Sequence, residues 1–448
     1  MTNMRNALKA LGAALAVVAL CAPLMLLPSE DTQPVLGYAG VTVTVPPTVV
    51  VATTIPGLET TTTTTEAPPP TPPEPTSSTT TTEGPIDITI AAVGDVLAPV
   101  PVLESVRGAT GSYDFGPVLA PIAPYLSKAD YTVAALEPRL AGPQPGYSAD
   151  PTANAPQELA FELKKTGIDL VATANSHSLD LGWEGIVGTL DRLDAAGLAH
   201  VGTSRSQKER TTPVIADIRG IKVAFLNYTA SVAGKLPADE NKDFAVNMLD
   251  LDTVTQDAAT ARSWGADAVV AMLNYGTEYE REPSVDQVGL SEQILDHGVD
   301  AILGSHARVV QPIGHIFAYA SWRANDKYVA YSLGDFLTAQ ESEYADSGLI
   351  AYLHLEKRGL RTYVTGVSYL PLYVQVSVPT ESATPASGEQ QPAKYRILPV
   401  LPGLEPDTDV PLTADDKQRM AQVWENARGL LYRPDEKISP LAPADLGL

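Results

Sequence analysis

The chain has 448 residues, 44% of them hydrophobic, which is enough for one large folded domain with appended segments. Its 53 acidic and 30 basic side chains give a formal net charge of −23. This charge argues against nucleic acid and anionic lipid as main partners, because both attract a basic face. The single cysteine, Cys21, excludes an intrachain disulfide.

The N-terminus has the pattern of an export signal. Arg5 and Lys9 precede an apolar run from Ala10 to Pro28, and a positive start followed by an apolar stretch is typical of exported proteins. The run approaches the roughly 20 residues that span a bilayer, so residues 1–28 are predicted to form an uncleaved signal-anchor helix. A cleaved signal peptide or a lipoprotein anchor is the alternative. Each of these places the folded part on the extracytoplasmic face of the membrane, in the envelope, or outside the cell.

Residues 29–85 are rich in threonine and proline, with an all-threonine run at Thr60–Thr65. Such a composition cannot bury a core, so we predict a disordered linker. It suits a stalk through a cell wall, and equally a linker with no specific length requirement. Residues after position 85 hold 28 basic and 47 acidic side chains, a net charge of −19, so the acidity belongs to the folded part.

From Ile86 onwards, apolar strand-like runs alternate with helix-like patterns, which predicts an α/β architecture with helices packed on sheets. The predicted strands are Ile86–Val93, Tyr131–Leu136, Ile168–Thr173, Ile221–Asn227, Ala268–Leu273, Val299–Leu303 and Tyr328–Leu333. The predicted helices are Glu184–Ala196, Leu251–Trp264 and Val285–His297.

The end of the chain reads as a hairpin followed by a smaller appendage. Gly348–Glu356 and Leu360–Tyr369 are predicted to pair around a Lys-Arg-Gly turn and to close a domain spanning 86–375. Residues 376–394 are predicted to be a surface loop. Residues 395–448 are predicted to add an edge strand and a helix that packs on the domain. A capping box at Thr413 would open that helix.

Five turns that follow predicted strands carry the polar residues expected of a site. They contain Asp95, Glu137, the run Asn175-Ser176-His177, the run Asn274 to Glu278, and the run His306 to Gln311. In open α/β sheets, ligands bind where strands end. Carboxylate, imidazole and amide groups are ligands of divalent metals. We therefore predict that these turns converge on one polar site.

In order and spacing these motifs resemble the capsule-synthesis family of the CapA/PgsA type (poly-γ-glutamate synthesis), whose domain is similar to calcineurin-like metallophosphoesterases. The matching pieces are Gly94-Asp95, Leu136-Glu137, Ala174–Gly182, Gly276-Thr277-Glu278-Tyr279, Gly304-Ser305-His306 with Gln311, and Tyr331–Phe336. The resemblance implies an αββα sandwich of two sheets, of the metallophosphoesterase type.

In the related phosphoesterases such motifs hold two metals, but this chain departs from the pattern. Asp95, Glu137 and His306 remain good ligands by resemblance, whereas Asn274 replaces a histidine and offers a carbonyl oxygen. Arg308 also replaces a histidine, and a guanidinium stays protonated and cannot bind a metal. The resemblance therefore implies one weak divalent-metal site (Mn, Fe, Zn or Mg) or none, rather than two.

By the same resemblance His177 would be a general acid. The predicted substrate contacts are Asn175, Ser176, Glu278, Arg308 and Gln311. The neighbouring Asp180 is predicted to cap the helix that begins near Trp183.

Two functions follow. The first is an envelope-anchored protein that handles an extracellular polymer such as poly-γ-glutamate or another capsule or cell-wall component. It would work with other envelope-biosynthesis membrane proteins and would not bind nucleic acid. The second is an active metal-dependent hydrolase of phosphoester or amide bonds. Ser176 stands where the resembling family usually has asparagine, and this departure, with those at Asn274 and Arg308, slightly favours a non-catalytic binding or assembly factor.

Overall fold

A computed structural model of the chain describes residues 84–148, 152–234, 241–317, 326–340, 342–377, 392–406 and 411–442. The predicted anchor 1–28, almost all of the predicted linker 29–85 and most of the predicted loop 376–394 lie outside these ranges. Among the described residues, no helix has both the length and the apolar character needed to cross a membrane.

The strands are β1 (Ile86–Val96), β2 (Tyr131–Leu136), β3 (Leu170–Ala172), β4 (Ala199–Val201), β5 (Val214–Ile218), β6 (Ile221–Thr229), β7 (Ala268–Asn274), β8 (Ala301–Ser305), β9 (Ile313–Phe317), β10 (Asp326–Ala330), β11 (Asp335–Leu337), β12 (Ser347–Arg358), β13 (Arg361–Ser377), β14 (Lys394–Pro399) and β15 (Ile438–Pro440). The helices are α1 (Val100–Val106), α2 (Gly116–Leu119), α3 (Ala123–Leu126), α4 (Glu158–Thr166), α5 (Gly182–Ala196), α6 (Gln207–Thr211), α7 (Leu251–Ser263), α8 (Val285–Asp296) and α9 (Ala414–Leu431), with a 3-10 turn at Pro434–Glu436.

These strands form two sheets. The first has the order β14-β13-β12-β1-β2-β3-β4, and β11 and β15 pair with β1 and β13. The second has the order β5-β6-β7-β8-β10-β9. Strands β1 to β4 run parallel to one another, as do β6, β7, β8 and β10, so the carboxyl ends of each parallel set lie at one edge of its sheet.

Three hydrophobic layers hold the sheets and helices together. Ile88 and Ile90 of β1 point between the two sheets, whereas Ala91 and Val93 point outwards to the helices that cover the first sheet. A third cluster joins the second sheet to α7 and α8. Because strands such as β1 are buried on both faces, they read as continuous apolar runs. The predicted αββα sandwich is confirmed.

The structure adjusts several predicted boundaries. β3 is shorter than predicted, and β8 begins two residues later and extends to Ser305, so the functional turn starts at His306. β10 begins two residues earlier than predicted, at Asp326, and ends three residues earlier, at Ala330. The antiparallel hairpin of β12 and β13 is confirmed. The capping box at Thr413 is also confirmed, because the Asp416 carboxylate accepts a hydrogen bond from the Thr413 backbone N–H.

Candidate functional site

The predicted turns of both sheets meet at one place. The backbone N–H of His306, after β8 of the second sheet, donates to Asp95 Oδ2 on β1 of the first sheet at 2.8 Å. Arg308 Nη1 donates to Glu137 Oε2, after β2, at 2.8 Å. His177 Nε2, after β3, lies 4.0 Å from the same Glu137 oxygen. The site therefore lies between the carboxyl edges of the two sheets.

Asp95 is fully buried within β1, where the pairing with β2 is irregular between Val93 and Asp95. Its Oδ1 atom forms no hydrogen bond with any described residue. Burial, and then the nearby charge of Glu137, raise the pKa of Asp95 to about 7. The preceding glycine is required, because a Cβ at Gly94 would lie 1.7 Å from the Gly334 carbonyl oxygen.

Arg308 supplies positive charge to this group of acids. Its side chain is 7% exposed and that of Glu137 is 1% exposed, so the ion pair between them is almost dry. Arg308 Nε also lies 3.3 Å from Glu278 Oε1, whose side chain is 43% exposed. Burial alone would lower the pKa of Arg308, but the charges of Glu137 and Asp95 outweigh burial and raise it. Arg308 therefore stays protonated.

Asp335 belongs to the same group and was not among the predicted site residues. It lies opposite Asp95 in the β1–β11 pairing, is fully buried, and neither carboxylate oxygen has a hydrogen-bond partner among the described residues. Burial raises its pKa well above the usual value, although Arg308 acts in the opposite direction. Its motif Ser332–Phe336 is visible in the sequence, but nothing local shows that β11 joins β1 in the first sheet.

His177 forms a close pair with Asp180. The imidazole Nδ1 and Asp180 Oδ2 are 2.7 Å apart, and the backbone N–H of Ala153 donates to the same oxygen. The hydrogen bond between the His177 ring and Asp180 is the largest cause of the raised pKa of His177. The predicted helix cap at Asp180 is wrong, because α5 begins after Leu181 with no side-chain cap. The carboxylate instead turns back to orient His177.

His306 is held in a conformation that only glycine adopts freely. Its φ is +89°, and Arg308 two residues later has φ +64°. Left-handed backbone at such residues costs about 1–3 kcal/mol and persists where the surrounding structure enforces it. Burial lowers the pKa of His306, so its ring is neutral near pH 7. Its Nδ1 has no partner among the described residues.

The predicted amide and hydroxyl contacts have varied roles in the fold. Both ends of the Asn175 amide form hydrogen bonds that hold the turn. Its Nδ2 donates to the Leu136 carbonyl at 2.7 Å, and its Oδ1 accepts from the His177 backbone N–H at 2.9 Å. Ser176 contributes its backbone carbonyl to the Ala233 N–H.

Asn274 and Gln311 are buried and use their amides within the protein. Asn274 accepts from the Thr229 hydroxyl at 3.1 Å. Gln311 bonds Gln287 and the Glu280 carbonyl at 3.0 and 2.8 Å. Gln311 therefore supports the loop around Glu280, with both ends of its amide occupied.

Two further residues shape the site. Arg139 is fully buried, and its Nη2 donates to the carbonyls of Glu137 and Thr173 at 3.0 and 3.3 Å, which ties the turns after β2 and β3 together. Burial lowers the pKa of Arg139 to about 10. Tyr279 lies at the mouth, 43% exposed, and its hydroxyl donates to Gln340. In the sequence, the only indication that Arg139 supports the site was its place as an arginine among apolar residues.

The side chains available as metal ligands fit two divalent ions poorly. Asp95, Glu137 and His306 present unpartnered atoms that a cation would satisfy, but the guanidinium of Arg308 already lies among these acids. Asn274 brings only a neutral oxygen, and its amide is engaged. Within the described part of the chain, no group of three or more His, Cys, Asp or Glu residues is arranged to hold a metal ion.

Comparison with solved structures gives low similarity. The crystal structure of the calcineurin-like phosphoesterase YfkN from Bacillus subtilis matches with a TM-score of 0.37 and 14% identity, covering 77% of this chain and 100% of that chain. The fold assignment therefore rests on the layers and sheet order of the chain itself.

Sequence relatives are more informative. The chain is 30% identical over 303 residues to the capsule biosynthesis protein CapA of Bacillus anthracis, covering 65% of this chain and 69% of that protein. It is 30% identical over 199 residues to the PGA biosynthesis protein CapA of Bacillus subtilis (strain 168), covering 44% of this chain and only 50% of that protein. The sequence profile described as "Bacterial capsule synthesis protein PGA_cap" matches residues 89–340, more than half of the chain. The protein belongs to this bacterial capsule synthesis family.

Proposed function

We propose that this protein binds an extracellular polymer, a capsule or cell-wall component such as poly-γ-glutamate, and takes part in its assembly at the envelope. The family assignment supports a role in capsule synthesis. Two relatives are named for capsule or PGA biosynthesis. The N-terminal pattern of Arg5, Lys9 and an apolar run supports an extracytoplasmic location with a membrane anchor, or secretion after cleavage. The partners would be the polymer and other envelope-biosynthesis membrane proteins.

The observation that carries a binding role, rather than catalysis with two metals, is the buried pair of Arg308 and Glu137 at 2.8 Å. A cluster of buried carboxylates needs positive charge to offset the free-energy cost of burial. In a two-metal site the ions provide that charge. Here Arg308 provides part of it from within the chain, and it does so at a position where the family has a metal ligand.

We therefore propose that the site holds one weakly bound divalent metal (Mn, Fe, Zn or Mg) or none. Asp95, Glu137 and His306 would hold such an ion, with Asn274 as a neutral fourth group. When bound, the ion would polarise an oxygen of the substrate. Arg308 remains beside Glu137 and reduces the negative charge available to attract the ion.

The alternative function is an active hydrolase of phosphoester or amide bonds, and one observation favours it. The Asp180 carboxylate orients His177, whose side chain is 23% exposed at the site, and raises its pKa, which favours the protonated ring. A protonated, oriented imidazole is suited to donate a proton to a leaving oxygen. In that case His177 would be the general acid.

Two measurements on the purified protein separate these functions. The first is metal analysis, where we expect less than one ion per chain, and two tightly held ions would refute the reduced site. The second is a phosphodiesterase assay with manganese that compares the wild type with His177→Ala. Activity that disappears in the variant supports the hydrolase. No activity with any metal, together with retained polymer binding, supports the binding factor.

A further inference from the structure

An arginine beside the site has no acidic partner. Arg281 lies in the loop that follows β7, and it is partly exposed. Among the described residues, no acid forms an ion pair with Arg281, and its buried Nε has no hydrogen-bond partner. Arg308, by contrast, already donates to two acids of the site. Arg281 therefore keeps its charge available to an anion from outside.

The ring of Tyr344 holds the guanidinium of Arg281 in place. The Arg281 Cζ atom lies 4.1 Å from the centre of the Tyr344 ring, and this cation–π contact uses a flat face of the guanidinium. Tyr344 has φ +68°, and its carbonyl accepts a hydrogen bond from the Ser347 hydroxyl at 2.9 Å. Because stacking covers only a face, the terminal N–H groups at the edge remain donors for a ligand. Such a fixed fork matches the two oxygens of a carboxylate.

Hydrogen bonds fix this loop against the site. The Tyr279 backbone N–H donates to the Ala307 carbonyl at 2.8 Å, and Gln311 Nε2 donates to the Glu280 carbonyl at 2.8 Å. The Tyr279 hydroxyl also donates to Gln340 Oε1, at 3.3 Å, in the segment that follows β11. The unpaired guanidinium therefore belongs to a loop that is anchored at the mouth of the site.

A polymer of carboxylates needs such a cation. The chain after position 85 carries a net charge of −19, and this charge repels other anions over about 8–10 Å at physiological salt. Binding of a polyanion at the site therefore depends on positive charge that is placed locally. A guanidinium supplies this charge and also a geometric preference, because it forms two parallel hydrogen bonds with one carboxylate.

We infer that Arg281, oriented by the ring of Tyr344, binds a free carboxylate of the polymer at the mouth of the site and determines a preference for an anionic polymer. The inference rests on the proposed polymer-binding function and names the residue that recognises the charge of the polymer. In poly-γ-glutamate every unit carries one free carboxylate, so each successive unit presents the same group to Arg281.

The test measures binding of three labelled probes to the full-length protein by fluorescence anisotropy at neutral pH. The first two are an oligomer of γ-linked glutamate and the same oligomer with its free carboxylates converted to amides, so they share one backbone and differ in charge. The third is a galacturonate oligomer, which carries carboxylates on a sugar backbone. We expect the wild type to bind the glutamate oligomer about fivefold or more tightly than its amide counterpart, as for one partly exposed charged pair.

The variants are Arg281→Gln, Arg281→Lys, Tyr344→Leu and, as a control, Arg361→Gln. Arg361 is exposed at the turn between β12 and β13, beside the amino end of β1 and thus at the opposite end of that strand from the site. We expect Arg281→Gln to weaken binding of the glutamate oligomer about fivefold and to change binding of the amide oligomer by less than about twofold. Arg281→Lys keeps the charge without the fork, and Tyr344→Leu removes the ring, so we expect each to weaken binding about two- to threefold. Arg361→Gln removes the same charge and should change binding by less than about twofold.

If Arg281 only braced the loop, Arg281→Gln would weaken binding of the glutamate and amide oligomers alike, and this result would overturn the inference. Equal effects of Arg281→Gln and Arg361→Gln, or equal binding of the glutamate and amide oligomers by the wild type, would also overturn it while leaving the proposed polymer-binding function in place. Binding of the galacturonate oligomer alone, lost in Arg281→Gln, would support the inference with a uronic-acid polymer as the source of the carboxylate. Binding of none of the three probes would count against both the inference and the proposed function.

Discussion

Replacing Arg308 with glutamine tests whether this residue acts as the internal cation of the site. The substitution keeps most of the side-chain volume and removes the charge, so Glu137 becomes a buried carboxylate without its partner. Two unit charges about 4 Å apart attract each other by about 4 kcal/mol at an effective dielectric constant of about 20. Breaking one side of a buried pair typically costs about 3–5 kcal/mol. Because Asp95 and Asp335 also face Arg308, we expect a loss in the upper part of this range.

The assay is equilibrium urea unfolding near neutral pH, followed by tryptophan fluorescence. The chain offers a matched control in Arg219, which also has a positive φ, of +52°, but is 65% exposed and pairs with Asp130 at 3.2 Å. We expect Arg219→Gln to change the free energy of unfolding by less than about 1 kcal/mol.

A double variant isolates the pair itself. Glu137→Gln combined with Arg308→Gln leaves two neutral amides, so we expect it to recover about 2–3 kcal/mol relative to the sum of the single changes. If Arg308→Gln costs no more than Arg219→Gln, or if the double variant shows no coupling, Arg308 does not stabilise the acids and the reasoning fails.

Three further predictions concern the supports of the site. Asp180→Asn should lower the His177 pKa towards 6.5, because the hydrogen bond to Asp180 is the main cause of its rise, as an NMR titration would measure. A raised histidine pKa stabilises the fold below about pH 6.5, and this stabilisation disappears as pH rises through the folded-state pKa, so the variant should lose more stability at about pH 6 than at about pH 9. Asn175→Ala should lower the free energy of unfolding by about 2–3 kcal/mol, because it leaves buried backbone groups without partners. Gly94→Ala should destabilise by more than about 4 kcal/mol, because its Cβ would lie 1.7 Å from a carbonyl oxygen.

Each of these predictions has a neighbouring control. Asp194→Asn removes a carboxylate next to a different histidine, His200, and should leave the His177 titration unchanged. Ser176→Ala changes the residue beside Asn175 and should stay within about 0.5 kcal/mol. Gly429→Ala adds a Cβ in α9 with nothing within 4 Å and should stabilise by about 0.5–1 kcal/mol. A control that matched its partner variant would contradict the corresponding prediction.

Local pattern was sufficient to predict most of the architecture. β2 was predicted with its exact ends, and α5, α7 and α8 within two residues, because buried parallel strands read as apolar runs and surface helices carry a regular apolar stripe. The ends of a strand were harder to predict where hydrogen-bonded pairing with a neighbouring strand sets them. β8 extends through Gly304 and Ser305 because it continues to pair with β7 up to Asn274, and no local signal in those residues indicates a strand.

By itself, the sequence determined which residue types follow each strand, and hence the acids, imidazoles and amides available to a site. The fact that Arg308 is paired with Glu137, 171 positions away, was decided by the contact between two sheets. A carboxylate beside a helix start is equally suited to cap the helix or to bond a histidine, so the local pattern did not decide the role of Asp180. The folded turn places the Asp180 carboxylate against His177, three residues earlier, and against the backbone N–H of Ala153. Asp335 joined the site for a similar reason, since β11 pairs with a strand 240 residues earlier in the chain. Such long-range pairings depend on how the layers pack, which no local stretch of sequence encodes.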